Sequence, residues 1–205
     1  MEITADGWPV YDLKDMKAEY SDGEELAVRI LGDPNVGGFT PTKALKRELA
    51  QSIEFDESLI YCEDVHWLIN ILVHNKNIRA CYMNYYLYCY VQHKNKGITR
   101  DAQISYTNEG FPRIIEAYEK ILRLENISPL IAEQIKGSIY ASTVGAFYDN
   151  QVRPSNEVRR KMKSYLKQYA FRYYFGSKHV PIAKIKTLIK RILSLLHIYK
   201  HKRRI

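Results

Sequence analysis

Between residues 101 and about 176, apolar side chains recur every three or four positions: Ile114, Ile115, Tyr118, Ile121 and Leu122, then Ile131, Ile135 and Ile139. That spacing puts each set on one face of a 3.6-residue helix, so the segment predicts packed helices rather than strands. Pro112, Pro129 and Pro154 mark helix ends, because proline has no N–H to donate and clashes with the preceding turn. No repeat period is visible. A chain of 205 residues that is 46% hydrophobic buries one real core with a smaller helical appendage, and is not disordered.

The charge divides unevenly. Residues 151–205 carry sixteen Lys and Arg against one acid, Glu157; the whole chain nets +8, so residues 1–150 net −7. Within the basic part, Pro181 opens a segment in which Ile182, Ile185, Leu188, Ile189, Ile192, Leu195, Leu196 and Tyr199 share one helical face. Lys184, Thr187, Lys190, Arg191 and Ser194 take the other. An apolar face opposite a cationic one suits a helix lying in the headgroup region of an anionic membrane, with Lys184, Lys190, Arg191, Lys202, Arg203 and Arg204 as the membrane-binding cations. The competing reading packs the apolar face on the protein and solvates the basic one.

Residues 1–100 read as mixed. We expect helices near Gly23–Leu31, Thr42–Ala50 and Glu63–His74, then a strand from Ile78 to Val91 whose tyrosines fit a pleated surface. Cys62, Cys81 and Cys89 are odd in number and form no Cys-x-x-Cys, which favours reduced thiols and a cytoplasmic setting. The six histidines show no metal-ligand spacing, so no metal site is expected. No run approaches the roughly eighteen apolar residues of a spanning helix. The Asn126-Ile127-Ser128 sequon has no secretory context to give it weight.

Two acidic clusters stand out, Asp56-Glu57 and Glu63-Asp64, the second opening the apolar run from Val65 to Val73. A helix N-terminus favours an ionised carboxylate, and an ionised carboxylate facing a cleft accepts a proton from a hydroxyl. The same residues serve ordinary helices as first-turn caps.

The order of segments resembles family 2 glycosyltransferases. Gly37-Gly38-Phe39-Thr40-Pro41-Thr42-Lys43-Ala44-Leu45-Lys46-Arg47-Glu48-Leu49 comes first, then Phe55-Asp56-Glu57, Glu63-Asp64, Leu87-Tyr88-Cys89-Tyr90 and Gly97-Ile98-Thr99. The resemblance spans about residues 24 to 100 and rests on order and spacing, since no one motif is specific. It implies an α/β fold, with a partial GT-A-like half-domain over residues 1–100; the periodicity and charge add a mainly α-helical extension over 101–178 and a basic amphipathic tail over 179–205. It implies Asp64 as the catalytic base that deprotonates an acceptor hydroxyl, with Glu63 orienting the acceptor or the loop. Lys43, Asp56 and His93 match positions that would contact substrate.

The pattern departs from the family in one respect. No segment before Asp56 shows a buried strand ending in an Asp-x-Asp metal motif; Asp6, Asp12 and Asp15 stand among polar residues. The resemblance therefore implies an acceptor-side, C-terminal part, inactive alone. Its nucleotide-sugar donor, its glycan or lipid-linked acceptor and its Mg or Mn belong to the complete enzyme. A surface left for the other half could drive self-association. The rival classes are a nucleic-acid-binding module, favoured by a pI near 9.2 and seventeen tyrosines, and a non-catalytic partner subunit. Separation of the aromatic from the basic residues counts against nucleic acid.

Overall fold

The computed structural model describes residues 2–3, 9–10, 18–75, 77–83, 109–147 and 154–195. The described chain is mixed and mainly helical. Two short antiparallel pairs supply the strands: β1 (Glu2–Ile3) with β2 (Pro9–Val10), and β3 (Ala18–Asp22) with β4 (Arg79–Met83). In the second pair Ala18 lies opposite Met83 and Asp22 opposite Arg79. The strand expected over Ile78–Val91 begins at Arg79, and residues 84–91 lie outside the described residues.

Helix α1 (Gly23–Gly32) starts where Asp22 accepts a hydrogen bond from the Glu25 N–H at 2.8 Å, with Glu24 and Glu25 in its first turn. Its Arg29 is tied to the ribbon twice, by an ion pair to Glu19 at 3.0 Å and by lying 4.6 Å over the Tyr82 ring. A 3-10 turn, Thr40–Thr42, precedes a short helix α2 (Arg47–Gln51). The single helix expected over Thr42–Ala50 is thus split, because Pro41 sets the turn and the chain is extended at Lys43 and Lys46. Helix α3 (Glu63–His74) has the limits expected of it.

Helices α4 (Phe111–Leu122), α5 (Pro129–Phe147) and α6 (Asn156–Phe171) follow, then a π-helical turn, Arg172–Gly176, and helix α7 (Pro181–Leu195). The sequon is spent on a helix start: Asn126 takes a left-handed φ of 62°, and the Ser128 hydroxyl accepts from the Ile131 N–H at 3.2 Å.

Helix α5 is the hub, touching α1, α4, α6, the π-turn and α7. Its buried residues, from Ile131 through Gln134, Ile139 and Thr143 to Ala146, ring the helix, as expected of one surrounded by neighbours. One apolar core joins Ala27 and Leu31 of α1, Ile69 and Leu72 of α3, Ile115 and Ile121 of α4, Ile135 and Ile139 of α5 and Met162 of α6. This core runs straight across the boundary drawn at residue 100. Tyr140, Val144, Leu166 and Tyr173 form a smaller cluster beneath the π-turn.

Between that turn and α7 the chain crosses α5 as a strap. Gly137 permits the approach, since a Cβ there would lie 2.7 Å from the Ser177 Cβ. Gly32 does the same for Gln134, whose Oε1 accepts from the Lys178 N–H at 2.6 Å. Ser138 Oγ donates to the Leu31 carbonyl at 2.9 Å and lies 3.4 Å from His179 Nε2. Burial is the main force pushing His179 down to about 4.

Candidate functional site

The first turn of α3 is entered through Cys62, whose φ of 58° is left-handed, a conformation a non-glycine residue keeps only when its surroundings enforce it. Two loops provide that enforcement. On one side Gly38 lies against Val65, so closely that an added Cβ would fall 2.2 Å from Val65 Cγ2. On the other, residues 52–62 are fastened to α3 and α4. Trp67 Nε1 donates to the Ile53 carbonyl at 2.7 Å, and Phe55 stacks on Trp67 with centroids 4.5 Å apart. Lys120 of α4 reaches back to Asp56 at 2.7 Å and to the Ser58 hydroxyl.

Asp64 sits in that turn, half-buried, its Oδ1 accepting the Val65 N–H at 2.8 Å. No hydrogen bond reaches Oδ2 among the described residues. Glu63 is its half-buried neighbour in the same turn. Burial raises the Cys62 thiol to about 12, and the Asp64 and Glu63 charges add to the effect. Both effects favour the neutral thiol at Cys62.

Lys43 is near enough to feel Asp64, but its ammonium is committed elsewhere. It donates to the Val36 carbonyl at 2.9 Å, the Thr42 hydroxyl at 2.6 Å and the Phe39 carbonyl at 3.3 Å. Those three bonds use all the protons an ammonium has. Burial lowers its pKa and the Asp64 charge opposes that. In this arrangement Lys43 braces the glycine loop rather than presenting a proton to substrate.

Asp56 is likewise a structural anchor. Hydrogen bonds from Lys120 and Ser58 hold its carboxyl down to about 2. It ties the loop to α4 through Lys120. His93 lies outside the described residues, as do Lys202, Arg203 and Arg204. Beside the fastened loop an open recess of about 490 Å³ is lined by Ala50, Gln51, Ile53, Glu54, Phe55, Glu57 and Trp67. Neither Asp64 nor Glu63 lines it.

The tail needs a larger correction. Lys184 Nζ donates to the Ser177 carbonyl at 2.8 Å, Thr187 Oγ1 pairs with the Tyr173 hydroxyl at 3.2 Å, and Arg191 Nη1 donates to the Tyr140 hydroxyl at 2.8 Å. The polar face is thus the one seated on the protein. Lys184 and Arg191 leave the set of surface cations, whereas Lys190 stays exposed. The apolar face points outward, contrary to the competing reading that packs it on the protein.

Lys120 and Trp67, which hold the site in place, were not singled out by sequence. Trp67 carried a local signal, as an indole one turn after Asp64. Among the described residues no three His, Cys, Asp or Glu side chains converge as a cation cage, so the Mg or Mn that the resemblance implies has no ligand set here and no chemical step is derived through it. Comparison with protein-family models, with curated proteins and with solved structures finds no match.

Proposed function

We propose that this chain carries the acceptor side of a family 2-like, GT-A-type inverting glycosyltransferase, with Asp64 as the catalytic base. The observation that supports this most is the state of the Asp64 carboxylate. One oxygen is fixed by the Val65 N–H at the start of α3 and the other has no hydrogen-bond partner among the described residues. A carboxylate held by one oxygen and open at the other has the direction and the free lone pair that proton abstraction needs.

In the proposed reaction, Asp64 Oδ2 takes the proton of an acceptor hydroxyl as that oxygen bonds to the anomeric carbon of a nucleotide sugar. The bond from that carbon to the diphosphate breaks, inversion follows from the single displacement, and the nucleoside diphosphate departs with the electron pair. Glu63 positions the acceptor or the loop. The glycine loop, braced by Lys43, and the loop anchored through Asp56 hold the first turn of α3 so that the carboxylate does not drift.

Two measurements test this. Calorimetric titration should show oligosaccharide binding without nucleotide-sugar binding; the reverse pattern, or neither, removes the acceptor-side reading. In an active enzyme containing this segment, Asp64→Asn should lower kcat by about 10²–10⁴ with the acceptor KM little changed. Unaltered turnover would end the assignment of the base.

A further inference from the structure

The outward side of α7 is the largest feature that the glycosyl-transfer reading leaves unused. Ile182, Ile185, Leu188, Ile189 and Ile192 are 62, 56, 44, 50 and 45% exposed. At 100° per residue they form one stripe about 120° wide. The rotation of the helix is set from the opposite side, where Lys184, Thr187 and Arg191 hydrogen-bond to the strap, the π-turn and α5. The protein therefore holds α7 by its polar residues and leaves its aliphatic residues outside, the reverse of a helix that closes a core.

We propose that this stripe docks on the surface of an anionic lipid bilayer. Charge selects the occupant. Lys186 and Lys190 are exposed along one margin of the stripe, Lys178 is exposed just before the helix, and Lys200, Lys202, Arg203 and Arg204 follow it in sequence. No Asp or Glu occurs between residues 158 and 205. Pairing the stripe with its own copy would bring two cationic margins together with no acid from this segment to neutralise them. A bilayer with anionic headgroups supplies acyl chains for the five aliphatic residues and phosphate for the lysines. The helix lies on that surface rather than crossing it: fifteen residues span about 22 Å, and among the described residues no helix is long and apolar enough to cross a membrane.

The apolar face is the one expected to meet lipid from the sequence, and only the set of cations beside it changes. The lipid-facing residues are the five aliphatics with Lys186 and Lys190, and Lys184 and Arg191 are the attachments that keep the stripe turned outward. It does not depend on the glycosyl-transfer reading, because it uses no residue of the α3 turn.

The test is co-sedimentation of the full chain with phosphatidylcholine vesicles, with and without phosphatidylglycerol, at low and high salt. The chain should bind the phosphatidylglycerol vesicles at least about tenfold more tightly than pure phosphatidylcholine, and added salt should weaken that binding. The triple variant Ile185→Asn, Leu188→Asn, Ile189→Asn should lose binding to both while its circular dichroism stays that of the parent. Lys186→Glu with Lys190→Glu should lose about tenfold on the anionic vesicles only. Equal binding to both vesicle types, or binding the triple variant retains, overturns the proposal. A chain that ignores vesicles but forms a dimer abolished by the triple variant also overturns it, and makes the occupant a second copy.

Discussion

Helices α5 and α7 are both rich in aliphatic residues and end in opposite situations. In α5 apolar residues are spread around the helix, and the fold surrounds it. In α7 they are segregated to one side, and the fold binds the other side. Amphipathic pattern therefore reports that a helix has two unlike faces, and which one turns inward depends on what it finds there. Beneath α7 lie the Tyr140 and Tyr173 hydroxyls and the Ser177 carbonyl, a polar seat for Arg191, Thr187 and Lys184. Buried polar groups need partners more than an exposed leucine needs cover.

The contrast breaks first at the hub. Ile135 is fully buried at the centre of α5, so Ile135→Ala should cost about 2–5 kcal/mol, read as a lower urea midpoint with little change in slope. Ile185→Ala on α7, an equal truncation, should change stability by less than about 0.5 kcal/mol. Similar losses at the two sites would mean that α7 is covered.

The strap between the two helices adds a pH dependence. His179 is kept neutral chiefly by burial and secondarily by the nearby Lys184 charge, against a backbone hydrogen bond to Gly32 that favours protonation. Its folded pKa, about 4, lies below the ordinary value of 6.5, so between those pH values the unfolded chain binds the extra proton. This contribution is complete above pH 6.5 and is lost as pH falls towards 4, on the order of 3 kcal/mol in all. His179→Gln should flatten the melting temperature across that interval. A parent chain equally stable at pH 7 and pH 4.5 would show that folding leaves the proton affinity of the ring unchanged.

Gly32→Ala comes next in size. The new methyl would lie 2.3 Å from Gln134 Nε2, and pushing that amide away also strips the Lys178 N–H of its acceptor. One buried hydrogen bond lost costs about 1–2 kcal/mol by thermal denaturation. Gly145→Ala, where no atom of the described residues lies within 4 Å of the added carbon, should be neutral or stabilising.

What was legible in the sequence was local. The acids at Glu63-Asp64 and Pro181 each mark a helix start by chemistry contained within one turn, and α3 and α7 begin where those residues put them. Asp64 in the first turn of α3 was readable for the same reason. The remainder depends on partners far along the chain. Asp56 reads as a loop acid until Lys120, sixty-four residues later, is seen to hold it. Lys43 reads as a free cation until the loop closes on it. The central place of α5 left only a partial trace, Ile131, Ile135 and Ile139, because a helix buried on every side has no single face to reveal. That Lys184 and Arg191 of α7 are bound to the protein could not be read without knowing that hydroxyls and a carbonyl formed its seat.

The finest test of the comparison uses two adjacent residues of α7. Arg191 points in, donating to the hydroxyl of Tyr140, a residue with no exposed surface; Lys190 points out and is exposed. Arg191→Ala removes a charge-assisted bond from a hydroxyl that water replaces poorly, and should cost about 1 kcal/mol. Lys190→Ala should stay within about 0.5 kcal/mol, because a solvated ammonium contributes little to the folded state. Denaturation of the two variants side by side holds the helix and the number of charges removed constant and varies only the face. A clear gap in favour of Arg191 fixes the polar side as the buried one. A reversed order would place the aliphatic stripe against the protein, and with it would fall the reason for expecting that stripe to meet lipid.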